Sequence, residues 1–359
     1  MSSPIGSGHI KAAEALCQTY KKNFKGEAIH VNFLDYLNPR FGKLVEQGYF
    51  LMIKFIPYLN KIVYDTFNKP NKQLKRVGEF LDVKKYRKLI EQYKPDMILS
   101  THYIPAMVVS WMYKKFPIPN GVIITDFDFN SMCAYPNNDR VFIGCREIIS
   151  DLEKMGIERK KICVSGIPIR PNFLKSFEND KLKKKLGLDL RKPVLLMMNG
   201  GTAAGPLMEI LKSLAKVRKK FQILVITGHN EKMAQELKTG FGLLKLEGKI
   251  LGFVDNIEEY MAVSDLLISK AGGLTTTESL IIGLPMLIIK PTPGQEDGNT
   301  EFLTKAGAAI YIKNIKKINL AVDDLLKNPN KIEKMRVKAK KLSRPEANKT
   351  ILGEMLKIS

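Results

Sequence analysis

The sequence holds few residues that would tie it to an oxidising compartment or to a bound metal. Its four cysteines, Cys17, Cys133, Cys145 and Cys163, form no CxxC pair and no metal-ligand spacing. That excludes a disulfide framework and a zinc module and fits reduced thiols in the cytosol. No stretch approaches the roughly 18–20 uninterrupted apolar residues of a membrane span, because Lys54, Lys61 and Asp65 break the most apolar candidate. Membrane contact is therefore expected to be peripheral. The first residues lack the basic and apolar regions of a signal peptide. Acidic residues are scarce, 36 against 58 Lys and Arg, and the formal net charge is +22. Such a charge attracts polyanions: nucleic acid, phosphorylated substrates or an anionic lipid surface. With no zinc-finger spacing, RNP-like aromatic pattern or concentrated basic arm, no nucleic-acid partner is expected.

A chain of 359 residues exceeds the usual size of one hydrophobic core, so two domains with a ligand cleft between them are expected. Apolar periodicity predicts a helix from His9 to Tyr20 and a strand from Ala28 to Phe33, then helix and strand alternation at 84–93, 96–100, 104–115, 121–125, 146–155 and 162–165. Strands recur at 194–198, 222–227, 266–269 and 285–289, separated by helical segments, and the tail from Lys331 reads as helical. This is the pattern of doubly wound parallel sheets. The two prolines of Gly166–Asn172 mark the boundary, giving domains 1–172 and 173–359. The turn Pro4–Gly8 opens a helix with no strand before it, so the first strand of the N-terminal sheet is expected to be missing.

Three constellations can carry chemistry. Gly6-Ser7-Gly8-His9 is a glycine turn opening a helix, where backbone amides and the helix N-terminus favour an anion and a histidine can act as base or orient a hydroxyl. Asn199-Gly200-Gly201-Thr202 follows a strand and suits a diphosphate, although it matches neither the P-loop nor GxGxxG. Lys270–Asn299 spans two successive strand-end loops and the helix carrying Glu278; its second loop reads Pro293-Gly294-Gln295-Glu296-Asp297-Gly298-Asn299. Glycines at a helix start suit phosphates, a carboxylate suits a vicinal diol, and Gln295, Glu296 and Asn299 suit sugar hydroxyls.

Lys270–Asn299 resembles the donor-site signature of the glycosyltransferases that include plant monogalactosyldiacylglycerol synthase, bacterial processive diacylglycerol glucosyltransferase and, more distantly, the enzyme making lipid II. The resemblance extends to the GSGH turn, Ile124-Thr125-Asp126-Phe127, Ser165–Pro171 and Gly252-Phe253-Val254, in order along nearly the whole chain. It implies the α/β GT-B fold, two doubly wound parallel-sheet domains facing a central cleft, with the last helix packing back on the N-terminal domain. It also implies an inverting, metal-independent transfer of hexose from UDP-glucose or UDP-galactose, with no cofactor beyond this co-substrate. By position, Glu278 would hold the ribose and Gly272, Gly273 and Leu274 the phosphates. Gln295, Glu296 and Asn299 would contact the sugar, Phe253 and Val254 the uracil, and Gly8, Gly201 and Thr202 the diphosphate region. His9 or Asp126 would serve the reacting centre, both roles remaining open.

On the acceptor side the relatives' His and Trp after the Thr-Asp-Phe motif correspond to Asn130 and Cys133. His102 reads as a structural histidine at a strand end. Phe41–Pro70 mixes aromatics with lysines, as a membrane-facing lid or an ordinary amphipathic helix would. The acceptor expected is diacylglycerol or another lipid, used from the cytoplasm at the inner face of the cell membrane. Transfer of N-acetylglucosamine to a polyprenyl diphosphate and UDP-sugar epimerisation stand as rival enzyme readings, and a non-catalytic lipid-surface scaffold as a rival of another class.

Overall fold

The computed structural model describes residues 1–3, 7–37, 48, 83–198, 206–294 and 296–359. The chain forms two compact units: Met1–Pro171 with Pro293–Gly298 and Arg344–Ser359, and Asn172–Thr292 with Asn299–Ser343.

The first unit begins with α1 (Ser7–Asn23) and continues through α2 (Phe33–Leu37), α3 (Val83–Tyr93), β1 (Ile98–Ser100), α4 (Tyr103–Met112), β2 (Asn120–Ile123), β3 (Arg140–Phe142), α5 (Ile149–Lys154) and β4 (Ile162–Cys163). Its strands pair in parallel in the order β1-β2-β3-β4. Residues 1–3 run beside β1: Thr101 N–H donates to the Met1 carbonyl, and Ser2 makes a parallel bridge to Asn32. Among the described residues the strand expected from Ala28 to Phe33 is seen as that bridge, and Phe33 already opens α2.

In the second unit α6 (Asn179–Lys185) precedes β5 (Val194–Met198), α7 (Leu207–Leu214), β6 (Gln222–Ile226), α8 (Glu231–Leu243), β7 (Gly248–Leu251), α9 (Ile257–Ala262), β8 (Leu266–Ser269), α10 (Gly273–Ile282), β9 (Met286–Ile289), α11 (Asp297–Ala306, whose first two residues belong to the first unit), β10 (Ala309–Ile312), α12 (Ile318–Lys327) and α13 (Pro329–Leu342). Six parallel strands lie in the order β10-β9-β8-β5-β6-β7. The chain steps outward from β5 through β6 to β7 and then returns to place β8 on the other side of β5, so β5 and β8 flank the topological switch point, where open α/β sheets bind ligands. The central strands β5, β6, β8 and β9 are buried along their whole length, which explains their continuous apolar runs.

The last helix, α14 (Ala347–Leu356), belongs to the first unit and buries Ile351, Leu352 and Met355 against Leu16, Ile123 and Phe142. The buried Asn348 amide donates to Thr19 Oγ1 at 2.7 Å and to the Ile169 carbonyl at 2.8 Å, while its Oδ1 accepts the Ile169 N–H at 2.9 Å. A side chain near the end of the sequence thereby joins α1 to the segment after β4. Among the described residues no helix is long and apolar enough to cross a membrane.

Candidate functional site

In the first unit, His9 lies in the first turn of the 17-residue α1. Its Nδ1 is 2.5 Å from the Thr101 carbonyl oxygen and 3.1 Å from Thr125 Oγ1, and Thr101 Oγ1 donates back to the His9 carbonyl at 2.8 Å. A carbonyl oxygen can only accept, so Nδ1 carries the proton and the neutral ring presents Nε2 as an acceptor. Burial holds the His9 pKa below the ordinary 6.5, against the opposing pull of the Thr101 carbonyl. The positive end of α1 disfavours the charged form in the same direction. The ring is thus a neutral imidazole with its basic nitrogen available, the state a general base requires.

The neighbouring His102 has the opposite tautomer. It is buried, packs edge-on to His9 with ring centroids 4.6 Å apart, and caps α4 by accepting the Ile104 N–H on its own Nδ1 at 3.2 Å. Its proton therefore sits on Nε2. Burial first, and the nearness of a second imidazole, His9, next, push its pKa well below 6.5. This is the structural role expected of it.

Asp126 follows Thr125 in the loop after β2 and is half-buried. Burial, then the Asp126 and Asp128 charges, raise the Cys133 thiol to about 12, so Cys133 stays protonated at neutral pH. Asn130 is occupied locally: its Oδ1 accepts the Met132 N–H and its carbonyl accepts the Cys133 N–H, both at 2.9 Å. The sequence assigns Thr101 and Thr125 no part in holding the imidazole: Thr125 stands there only within the Ile124-Thr125-Asp126-Phe127 motif, and both bonds to His9 depend on partners remote in sequence.

In the second unit every residue expected at the donor site that the structure describes there lies at the carboxyl-terminal edge of the sheet or on the helix leaving it. After β8, Gly272 is extended (φ −66°, ψ 143°) and caps α10, whose first intrahelical bond runs from Thr276 N–H to the Gly272 carbonyl at 2.8 Å. The N–H groups of Gly273, Leu274 and Thr275 precede that bond and have no acceptor within the helix, so they form an anion-facing end. Glu278 is buried one turn further along. At the other end Gly283 adopts φ 75° and closes α10. The loop after β9 starts with Lys290 at φ 35°, an unusual conformation for a residue with a side chain.

The two loops are joined within this unit. Asn299, fully buried, donates from Nδ2 to the Ala271 carbonyl at 2.8 Å, and Lys270 Nζ reaches Thr292 Oγ1 at 3.4 Å. Asn299 therefore fixes the glycine loop. Further along the same edge, Phe253 after β7 is 52 % exposed and stacks on His229 after β6, with ring centroids 4.3 Å apart and planes 14° from parallel. Val254 is half-buried beside it. His229 was not singled out from sequence; it lies beyond Thr227 and Gly228 in the loop after the buried strand β6, where only its residue type could have marked it.

Glu296 is buried, and its Pro293–Gly298 segment belongs to the first unit, where Asp297 Oδ2 accepts the Gly294 N–H at 2.9 Å. Gly8 lies in α1 beside His9. Gly6, Gly201, Thr202, Gln295 and, Gly48 apart, the aromatic stretch Phe41–Pro70 are outside the described residues. Among the described residues no three His, Cys, Asp or Glu side chains converge as a metal-binding group would.

Two parallel-sheet α/β units, with strand-end loops gathered at a switch point, are the architecture of GT-B glycosyltransferases. The crystal structure of Acinetobacter baumannii MurG shares it, with a TM-score of 0.68 over 99 % of this chain and 98 % of that one at 15 % identity. Residues 9–169 match the family described as monogalactosyldiacylglycerol (MGDG) synthase, and residues 194–351 match the glycosyltransferase family 28 C-terminal domain. The chain carries these two glycosyltransferase family domains in order, and it is a UDP-sugar glycosyltransferase. Among its relatives are a processive diacylglycerol beta-glucosyltransferase of Bacillus pumilus, 29 % identical over 100 % of this chain and 94 % of the relative, and monogalactosyldiacylglycerol synthase 3, chloroplastic, of Arabidopsis thaliana, 29 % identical over 97 % and 78 %.

Proposed function

We propose that this glycosyltransferase moves a hexose from UDP-glucose or UDP-galactose to diacylglycerol, with inversion at the anomeric carbon, working from the cytoplasm on the inner face of the cell membrane. The observation that carries the reading is the end-to-end match to diacylglycerol glycosyltransferases, which covers both the His9 region and the donor loops. The net charge of +22 favours an anionic lipid surface over a neutral one.

In this reading the acceptor hydroxyl gives its proton to His9 Nε2 as its oxygen bonds to the anomeric carbon. The bond from that carbon to the UDP oxygen breaks, and UDP leaves with the electron pair. Charge on the leaving diphosphate faces the N–H groups of Gly273 to Thr275, which supply compensation without reorganising; the proposal assigns no step to a metal or other cofactor. Glu278 holds the ribose hydroxyls, Phe253 and Val254 flank the uracil, Gly201 and Thr202 approach the diphosphate, and Gln295 and Glu296 contact the hexose. Asn299 acts by holding the Ala271 carbonyl and with it the glycine loop. Asp126 serves as a charged neighbour of the reacting region, and His9 as the base.

The test is direct. Purified protein given diacylglycerol in vesicles should release UDP and form a glycosyl-diacylglycerol with one of the two UDP-hexoses. Turnover only with a polyprenyl diphosphate acceptor, or isomerisation of the sugar with no acceptor present, would overturn the proposal.

A further inference from the structure

We propose that Asp128 is a positioning residue of the transfer reaction, and that Gly298 is glycine so that the Asp128 carboxylate can seat the Pro293–Gly298 segment. The proposal rests on the reading of Glu296 as a contact to the donor hexose.

Gly298 is the second residue of α11, and its backbone does not occupy the left-handed region, so conformation alone does not call for glycine there. Space does. A Cβ built on Gly298 would lie 2.0 Å from Asp128 Cγ, 2.2 Å from Oδ2 and 2.3 Å from Asp128 Cβ. Real Cβ contacts essentially never come closer than 3.0 Å. The obstruction includes the base of the Asp128 side chain, which cannot swing aside as the tip of a lysine would.

Asp128 is also held in place. Its Oδ1 accepts the Phe129 N–H at 2.8 Å, which turns Oδ2 toward Gly298. A carboxylate against the first turn of a helix meets the positive end of the helix dipole and N–H groups that have no acceptor within the helix. Asp297, which could otherwise supply a negative group to this turn, folds back onto the Gly294 N–H. The loop carrying Asp126 and Asp128 is therefore fitted against the segment carrying Glu296, two residues before Gly298. If Glu296 reads the hexose, the Asp128 contact sets where the hexose sits without touching it.

The experiment is a double-variant cycle with Gly298→Ala, Asp128→Gly and both together, reading transfer to diacylglycerol and, separately, UDP affinity by calorimetry. Gly298→Ala should lower transfer by about a hundredfold, the order of loss expected from a misplaced substrate, while UDP affinity stays unchanged. In the Asp128→Gly background the same substitution should cost nothing further, because the obstruction is gone. An equal cost in both backgrounds, or normal transfer by Gly298→Ala, overturns the inference. If Gly298→Ala does not accumulate as folded protein, recovery of folded protein in the double variant is the expected result, and failure to recover it overturns the inference too. Glu296→Gln reports on the underlying reading by itself: unchanged kinetics for the hexose would remove Glu296 from the donor site while leaving the cycle to judge the contact.

Discussion

The His9 region and the proposed donor edge are built from different materials. Around His9 the chemistry is in side chains: two imidazoles and two threonines whose bonds fix which nitrogen carries a proton. At the proposed donor edge the polar groups are largely backbone, with glycines and a helix start presenting N–H groups and side chains such as Asn299 holding the loops in place. A site made of side chains has an electronic state that can be tuned by burial. A site made of backbone has a shape, and is disturbed mainly by changes in the loops that hold it.

Substitution should separate the two. His9→Ala is expected to lower kcat by about a thousandfold, the typical worth of a positioned general base, with UDP affinity unchanged by calorimetry. Glu278→Ala should do the reverse, weakening UDP binding by about a hundredfold through the loss of charge-assisted hydrogen bonds. Equal effects of both variants on UDP binding would erase the distinction.

Asn299→Ala tests whether the donor edge depends on its staple. It leaves the Ala271 carbonyl buried without its donor and should cost about 1–3 kcal/mol in denaturant unfolding, together with a higher KM for the UDP-sugar. An unchanged unfolding midpoint would show the loop to be held by other contacts.

Acidification acts on the side-chain region. Both imidazoles have folded pKa values below 6.5, the unfolded value, so below that pH the unfolded chain binds more protons than the folded one. Stability should therefore fall as pH drops below 6.5, and turnover should fall as His9 is protonated at a pH lower still. The measurements are unfolding midpoints and kcat at matched pH values; a turnover limb above 6.5 would exclude His9 as the base.

The smallest effect expected is that of Phe253→Ala. Removing a ring that is half exposed and stacked on His229 should cost about 1 kcal/mol of UDP affinity and leave the unfolding midpoint where it was. A large loss of stability instead would make the pair a core contact.

The same contrast explains what the sequence revealed. Buried central strands such as Val194–Met198 and Leu266–Ser269 are continuous apolar runs and were legible, as was the glycine-rich turn that follows the latter. Gly248–Leu251 and Ala309–Ile312 were missed because they are the sheet's edge strands, partly solvated, and their short runs carry Lys249 and a tyrosine among the apolar residues. Arg140–Phe142 is interior but only three residues long, too short to show a period. Asp128 and Thr125 acquire meaning only from partners remote in sequence, Gly298 and His9, and no local pattern records that.

The Asn348 junction bears on the order in which the protein can be completed. Asn348 and α14 are part of the first unit, yet they leave the ribosome after every residue of the second. During synthesis the second unit is delivered whole while the first still lacks its closing helix, with the Ile169 backbone and Thr19 waiting for their partner. The unit that starts the chain is thus the last to be finished, and a break in translation short of Asn348 would release a protein whose second sheet has all its strands but whose first unit is still open on the side that α14 covers.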